Sequence, residues 1–155
     1  MLARASLVLL LALLLVTPDA VAAPPLLGAL QDQAWGDGEC GTELHWPASA
    51  SGHAVKILAV DAAAPDRALV HVNGHDVLAT RQGVAVAGAD RVGKRYAERW
   101  TADRVTIDID YVVTRVCPPA HEGAGDCENI DVAATVRASD GKRTQLTKAT
   151  GSSGC

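Results

Sequence analysis

Phenylalanine is absent, and the one methionine is the first residue. Three tryptophans and two tyrosines are the whole aromatic content. A core must therefore be assembled from Val, Leu, Ile and Ala. The stacked aromatic platforms of single-strand and sugar binders have little to be made from. Catalytic signatures are also missing. There is no G-x-S-x-G elbow, and no glycine loop leads from a strand into a helix to cradle phosphate. No pair of cysteines has the C-x-x-C spacing of a metal site. Ser152-Ser153 sit beside Cys155 near the end of the chain. With no nucleophile, metal or cofactor motif in view, the expectation is a protein that is not an enzyme and carries no cofactor or metal. A net charge of −4 gives no electrostatic basis for general nucleic-acid binding.

Long apolar runs are scarce too. The one that stands out, Ala5–Val16, is interrupted only by Ser6. At about 12 residues it is shorter than the roughly 20 a spanning helix needs. Arg4 precedes it, and Ala20-Val21-Ala22 supplies small residues at a cleavage position. This is the pattern of a secretory signal peptide over residues 1–22. The expectation is a periplasmic or secreted product with no transmembrane segment after cleavage. All four cysteines, Cys40, Cys117, Cys127 and Cys155, would then enter an oxidising compartment.

What is present reads as strands. Residues 23–39, with Pro24 and Pro25, form an extended lead-in with room for a turn of helix at Leu26–Gln33. Residues 40–155 form a single β domain. Ala54–Val60 is compact and apolar. Arg67–Val72 and His75–Thr80 flank Asn73-Gly74, the strongest short hairpin signal. A two-residue turn there pairs Val72 with His75, His71 with Asp76, Val70 with Val77 and Leu69 with Leu78. Val84–Ala89 is a further short strand, and Asp90–Asp103 reads as charged and irregular. Val105–Cys117 alternates apolar and polar residues, the pattern of one buried and one wet face. Ile130–Arg137, a tight turn at Asp140-Gly141 and Lys142–Thr150 follow, with Gly151–Gly154 as a flexible finish. The fold class expected is all-β, a small antiparallel barrel or sandwich.

Four cysteines allow three pairings. A turn at Asp140-Gly141 makes the paired residue numbers add to 280 or 281. Cys127 then meets residue 153 or 154, next to Cys155. That favours Cys127–Cys155 and leaves Cys40–Cys117.

Two groups of polar residues are candidates for function. His71, Asp76, Asp108 and Asp110 contain the residue types of a metal or calcium site. Asp108 and Asp110 share a strand face about 7 Å apart. The hairpin register makes His71–Asp76 a simple cross-strand pair, and alternating acids are ordinarily a solvated face. The second group lies between Arg91 and Arg104. There Lys94, Arg95 and Arg99 are interleaved with Tyr96 and Trp100, residue types enriched at binding hot spots.

The stretch from Glu39-Cys40-Gly41 through the Asn73-Gly74 hairpin carries a family resemblance. It continues through Arg81-Gln82-Gly83-Val84, Gly88-Ala89, Tyr96, Trp100 and Val105-Thr106-Ile107 to Cys117. Over residues 40–117 the chain resembles the membrane-bound c-type lysozyme inhibitors of bacterial envelopes. The resemblance implies an exported eight-stranded antiparallel barrel and a Cys40–Cys117 bond. Where that family has Ser-Gly-x-x-Tyr in its inhibitory loop, this chain has Ala87-Gly88-Ala89-Asp90-Arg91. The function expected is an exported protein-binding module, possible in lysozyme-inhibitor form, with Lys94, Arg95, Tyr96, Arg99 and Trp100 facing a glycosidase or lysozyme-like partner. The alternatives are an envelope structural protein and a small metal- or calcium-binding protein.

Overall fold

The computed structural model describes residues 25–35, 40–47, 54–83, 91–117 and 129–154. The expected signal peptide, the expected strand Val84–Ala89, Cys127 and Cys155 lie outside the described residues. There are nine strands among them: β1 Leu27–Gly28, β2 Gly41–Trp46, β3 Val55–Asp61, β4 Arg67–Val72, β5 His75–Gln82, β6 Arg95–Ala102, β7 Val105–Arg115, β8 Asn129–Ser139 and β9 Thr144–Gly154. From β2 onward each strand pairs antiparallel with the next, and β9 pairs back onto β2. The result is a closed eight-stranded up-and-down barrel. Closure removes the exposed edges that an open sheet would present.

Alternation fills the interior. Inward residues are Val105, Ile107, Ile109, Tyr111 and Val113 on β7 and Val132, Ala134, Val136 and Ala138 on β8, all buried. Trp100 and Tyr111 share one core cluster with Ala68, Ala79, Ala102, Ala134, Ala138 and Ala149. The small residues leave volume for the two large rings, so the barrel packs without phenylalanine.

The first hairpin matches its expected register pair for pair, Val72 opposite His75 and His71 opposite Asp76. Asn73 and Gly74 have φ of 51° and 95°, as a type I′ turn requires. The last hairpin differs. Ser139 faces Thr144, and Asn129 faces Gly154. Asp140 explains the wider loop: its carboxylate accepts the N–H groups of Lys142 and Arg143, so four residues turn where two were expected. These bonds, Arg143 first and then Lys142, hold the Asp140 carboxyl down to about 2.

Two further expectations are corrected. Most of the stretch Asp90–Asp103 is strand β6, not irregular. Its inward residues are Tyr96, Glu98, Trp100 and Ala102, and the inward acid hides the apolar alternation. Gly151–Gly154 is not a loose finish but lies between β8 and β2. The approach is so close that a Cβ on Gly151 would collide with the Glu43 carbonyl.

The Cys40–Cys117 bond is not formed, because the two are not at disulfide distance. Cys40 leads into β2, whereas Cys117 follows β7, and β9 and β8 stand between those strands. Neither is a free thiol. The register behind the Cys127–Cys155 pairing also fails, since it put residue 127 rather than 129 opposite 153 or 154.

The lead-in packs as a strap, without the expected turn of helix. Leu26, Leu27 and Leu30 are buried. Leu27 pairs with Val72 of β4, and Gln145 of β9 bonds both its N–H and its carbonyl. The Asp76 carboxylate accepts the N–H groups of Gln31 and Asp32 and meets His71 Nδ1 at 2.6 Å. Lys56 Nζ donates to the Trp35 carbonyl and pairs with Glu43 at 2.7 Å.

Burial alone would raise the Asp76 carboxyl, but the Asp32 and Gln31 amides and the His71 ring outweigh it and hold it below 3.8. A carboxyl depressed by folding stabilises above its unfolded pKa and loses that contribution as pH falls through the folded value. Asp76→Asn should therefore cost about 1–3 kcal/mol at neutral pH, as for hydrogen bonds to a charged group. Urea unfolding of both proteins at pH 7 and pH 3 checks this: the gap between them should shrink at the lower pH.

Candidate functional site

The meander gives the barrel two unlike ends. The connections 47–54, 73–74, 103–104 and 140–143 fall at one end, together with the strap, and three of these four are tight turns. The connections 62–66, 83–94 and 116–128 fall at the other, where β2 begins and β9 ends. Binding residues concentrate on loops held by a rigid scaffold, so the loop end is the natural place to look.

The five candidate residues from the basic stretch are divided by the pleat of β6. Arg95 and Arg99 point outward and are exposed, while Tyr96 and Trp100 point inward. Lys94 sits just before the strand at the loop end. Its carbonyl accepts the Val113 N–H and its own N–H donates to Arg91, so the turn is tied to β7. Arg91, Lys94 and Arg95 thus share the loop end. Arg104 lies in the turn at the opposite end, and Arg99 lies mid-strand with Asp108 at 2.5 Å. That ion pair raises the Arg99 guanidinium above its ordinary value. Arg95 and Arg91 make no ion pair among the described residues.

Inside, Trp100 is fully buried and belongs to the core. Its indole N–H donates to Glu98 Oε2 at 3.2 Å, and the Tyr111 hydroxyl donates to the same oxygen at 3.1 Å. The Arg81 guanidinium lies 3.3 Å from Glu98 Oε1 and 4.7 Å from the centre of the Trp100 ring. Tyr96 stacks on Tyr111 with centroids 4.5 Å apart. Burial, with the Glu98 charge adding to it, lifts the Tyr96 phenol to about 12. Tyr111, deeper, is raised further for the same reasons in the same order. Both phenols stay neutral hydrogen-bonding groups and are not proton carriers near pH 7.

This inner network has no counterpart in the sequence reading. The signal for it was parity: Glu98 stands two residues from both Tyr96 and Trp100, which places all three on one face. His71 and Asp76 form the expected cross-strand pair and are engaged by the strap. Asp108 is held by Arg99, and Asp110 is exposed on the outer face. Among the described residues no three His, Cys, Asp or Glu side chains gather as a metal site. No described helix is long and apolar enough to cross a membrane.

No family model matches the chain, and no curated protein or solved structure matches it at a significant level.

Removing one partner of a buried ion pair strands the other charge. Glu98→Ala should destabilise the barrel by about 3–5 kcal/mol, and pairing it with Arg81→Leu should recover part of the loss. Guanidinium unfolding followed by tryptophan fluorescence measures both. A loss under about 1 kcal/mol in the single variant would mean that the pair is solvated like a surface bridge.

Proposed function

We propose that the chain is an exported, non-enzymatic protein-binding module of lysozyme-inhibitor-like character that engages its partner through the loop end of the barrel. The observation carrying this reading is the position of Lys94 and Arg95. Both stand where the connection 83–94 enters β6, against a ladder running from Arg95–Val112 to Ala102–Val105. A cation projecting from a rigid strand entrance loses little freedom on binding. Glycosidase clefts hold two carboxylates about 5–10 Å apart, and a guanidinium or ammonium inserted between them would displace substrate. Complementary charge would also speed the encounter. The interior of the barrel is filled by its own side chains, which directs recognition to the surface.

The inward placement of Trp100, buried, and Tyr96, half-buried, changes the role given to them. In this reading they shape and stiffen β6 from within, and Lys94 and Arg95 make the contact. Arg99 is farther along the strand and already neutralised by Asp108.

Cross-links at the same end would hold the loops. Export supports two, and with Cys40–Cys117 excluded the pairing proposed is Cys40–Cys155 and Cys117–Cys127, the second closing the shortest loop open to Cys117. Cys117 Sγ lies 3.6 Å from the Asn129 carbonyl at the start of β8. Each bond would add about 2–4 kcal/mol by restricting the unfolded chain. Non-reducing peptide mapping of exported protein should recover these two pairs, and a Cys40–Cys117 peptide would refute them.

The functional test is residual activity of a c-type lysozyme titrated with the mature chain. Inhibition is expected, and reversing both Lys94 and Arg95 to Glu should weaken it at least tenfold. Arg99→Glu should have a much smaller effect. Full enzyme activity at a large molar excess of the protein contradicts the proposal.

A further inference from the structure

Away from the loop end, the outer face of β6–β9 carries two adjoining depressions of about 940 and 520 Å³. They share Asp108, Arg137 and Thr144. The register builds the face in rows. Arg99, Asp108, Arg137 and Leu146 form one row across the four strands, and Thr101, Thr106, Ser139 and Thr144 form the next. Arg104 closes the second depression from the β6–β7 turn.

The lining holds four guanidiniums, Arg81, Arg99, Arg104 and Arg137, and four carboxylates, Glu98, Asp108, Asp110 and Asp140, but most of the acids are engaged locally. Asp108 is taken by Arg99, Asp140 by the turn it caps and by Arg143, and Glu98 by the inner network. Asp110 alone of the lining acids has no partner among the described residues. Arg104 and Arg137 are exposed, and neither has an ion pair or side-chain hydrogen bond among the described residues. Two uncommitted guanidiniums thus flank a row of hydroxyls on a chain whose net charge is −4. Leu146 is the only large exposed apolar side chain in the lining. A protein partner would find no buried anchor there, and a neutral sugar would find no aromatic platform.

We infer that this face binds an acidic polysaccharide segment. Its carboxylates would be held by Arg104 and Arg137, and its hydroxyls by Thr106, Thr144 and Asp110. Guanidinium geometry suits planar two-point recognition of a carboxylate. The hydroxyls both donate to and accept from sugar hydroxyls, and the one open carboxylate accepts from them. Strands spaced about 4.8 Å apart repeat these groups across the face at near-saccharide intervals. This surface is separate from the loop end, and the inference does not depend on the lysozyme reading.

The test is calorimetric titration of the mature chain with an oligogalacturonate, a neutral dextran oligomer and poly-glutamate. Oligogalacturonate should bind and weaken as salt rises, and dextran should not bind. Arg104→Ala with Arg137→Ala should lower the affinity at least tenfold. Arg67→Ala, at the other end of the barrel, should leave it unchanged. The same double variant should titrate a c-type lysozyme as the unmodified chain does, so a failure of either idea is separately visible. Absence of oligogalacturonate binding, equal binding by the double variant, or poly-glutamate binding as tightly would each overturn the inference.

Discussion

Every second residue of eight strands must fit inside one closed wall, and that demand governs the rest of the molecule. A barrel of this size is filled by side chains. With no phenylalanine, the chain meets the demand by setting Trp100 and Tyr111 among alanines and branched aliphatics. Glu98 is a charged side chain that faces inward. It is tolerated because Arg81, Trp100 and Tyr111 supply one charge and two hydrogen bonds. Closing the wall also commits the last strand: β9 must reach β2, which is why its end is built of small residues that allow two backbones to approach.

The two ends divide the work that loops do. The strap lies at the end that holds three tight turns and the connection 47–54, with polar groups of the barrel gripping strap backbone: Gln145 on Leu27, and Asp76 on Gln31 and Asp32. The two longest connections, 83–94 and 116–128, join strands at the other. That separation gives the proposed recognition surface a stiff base. It also leaves the outer face of β6–β9 as an independent polar surface.

Much of this was legible in the sequence where a local rule acts alone. Asn73-Gly74 determined its hairpin residue by residue, because a type I′ turn leaves no freedom in register. The alternation of Val105–Val113 announced β7. Reading failed where a polar side chain or a patternless run overrode the local rule. Asp140 widened its turn by accepting two backbone N–H groups, shifting the final ladder and with it the expected cysteine pairing. Glu98 disguised β6 as a charged loop, since its partner Arg81 lies on another strand. Gly151–Gly154 looked unstructured because glycine and serine carry no pattern, yet pairing on both sides orders them. The basic stretch was visible as composition, but only the strand reveals that its aromatics and its cations face opposite ways.

Closure through β9 and β2 is the claim on which the rigid loop end rests, and amide hydrogen exchange tests it most directly. Residues 41–45 and 151–154 should exchange as slowly as the central ladder of β7 and β8, within one cooperative unit. Rapid exchange at 151–154, with protection confined to β5–β8, would mean an open sheet and would contradict the account.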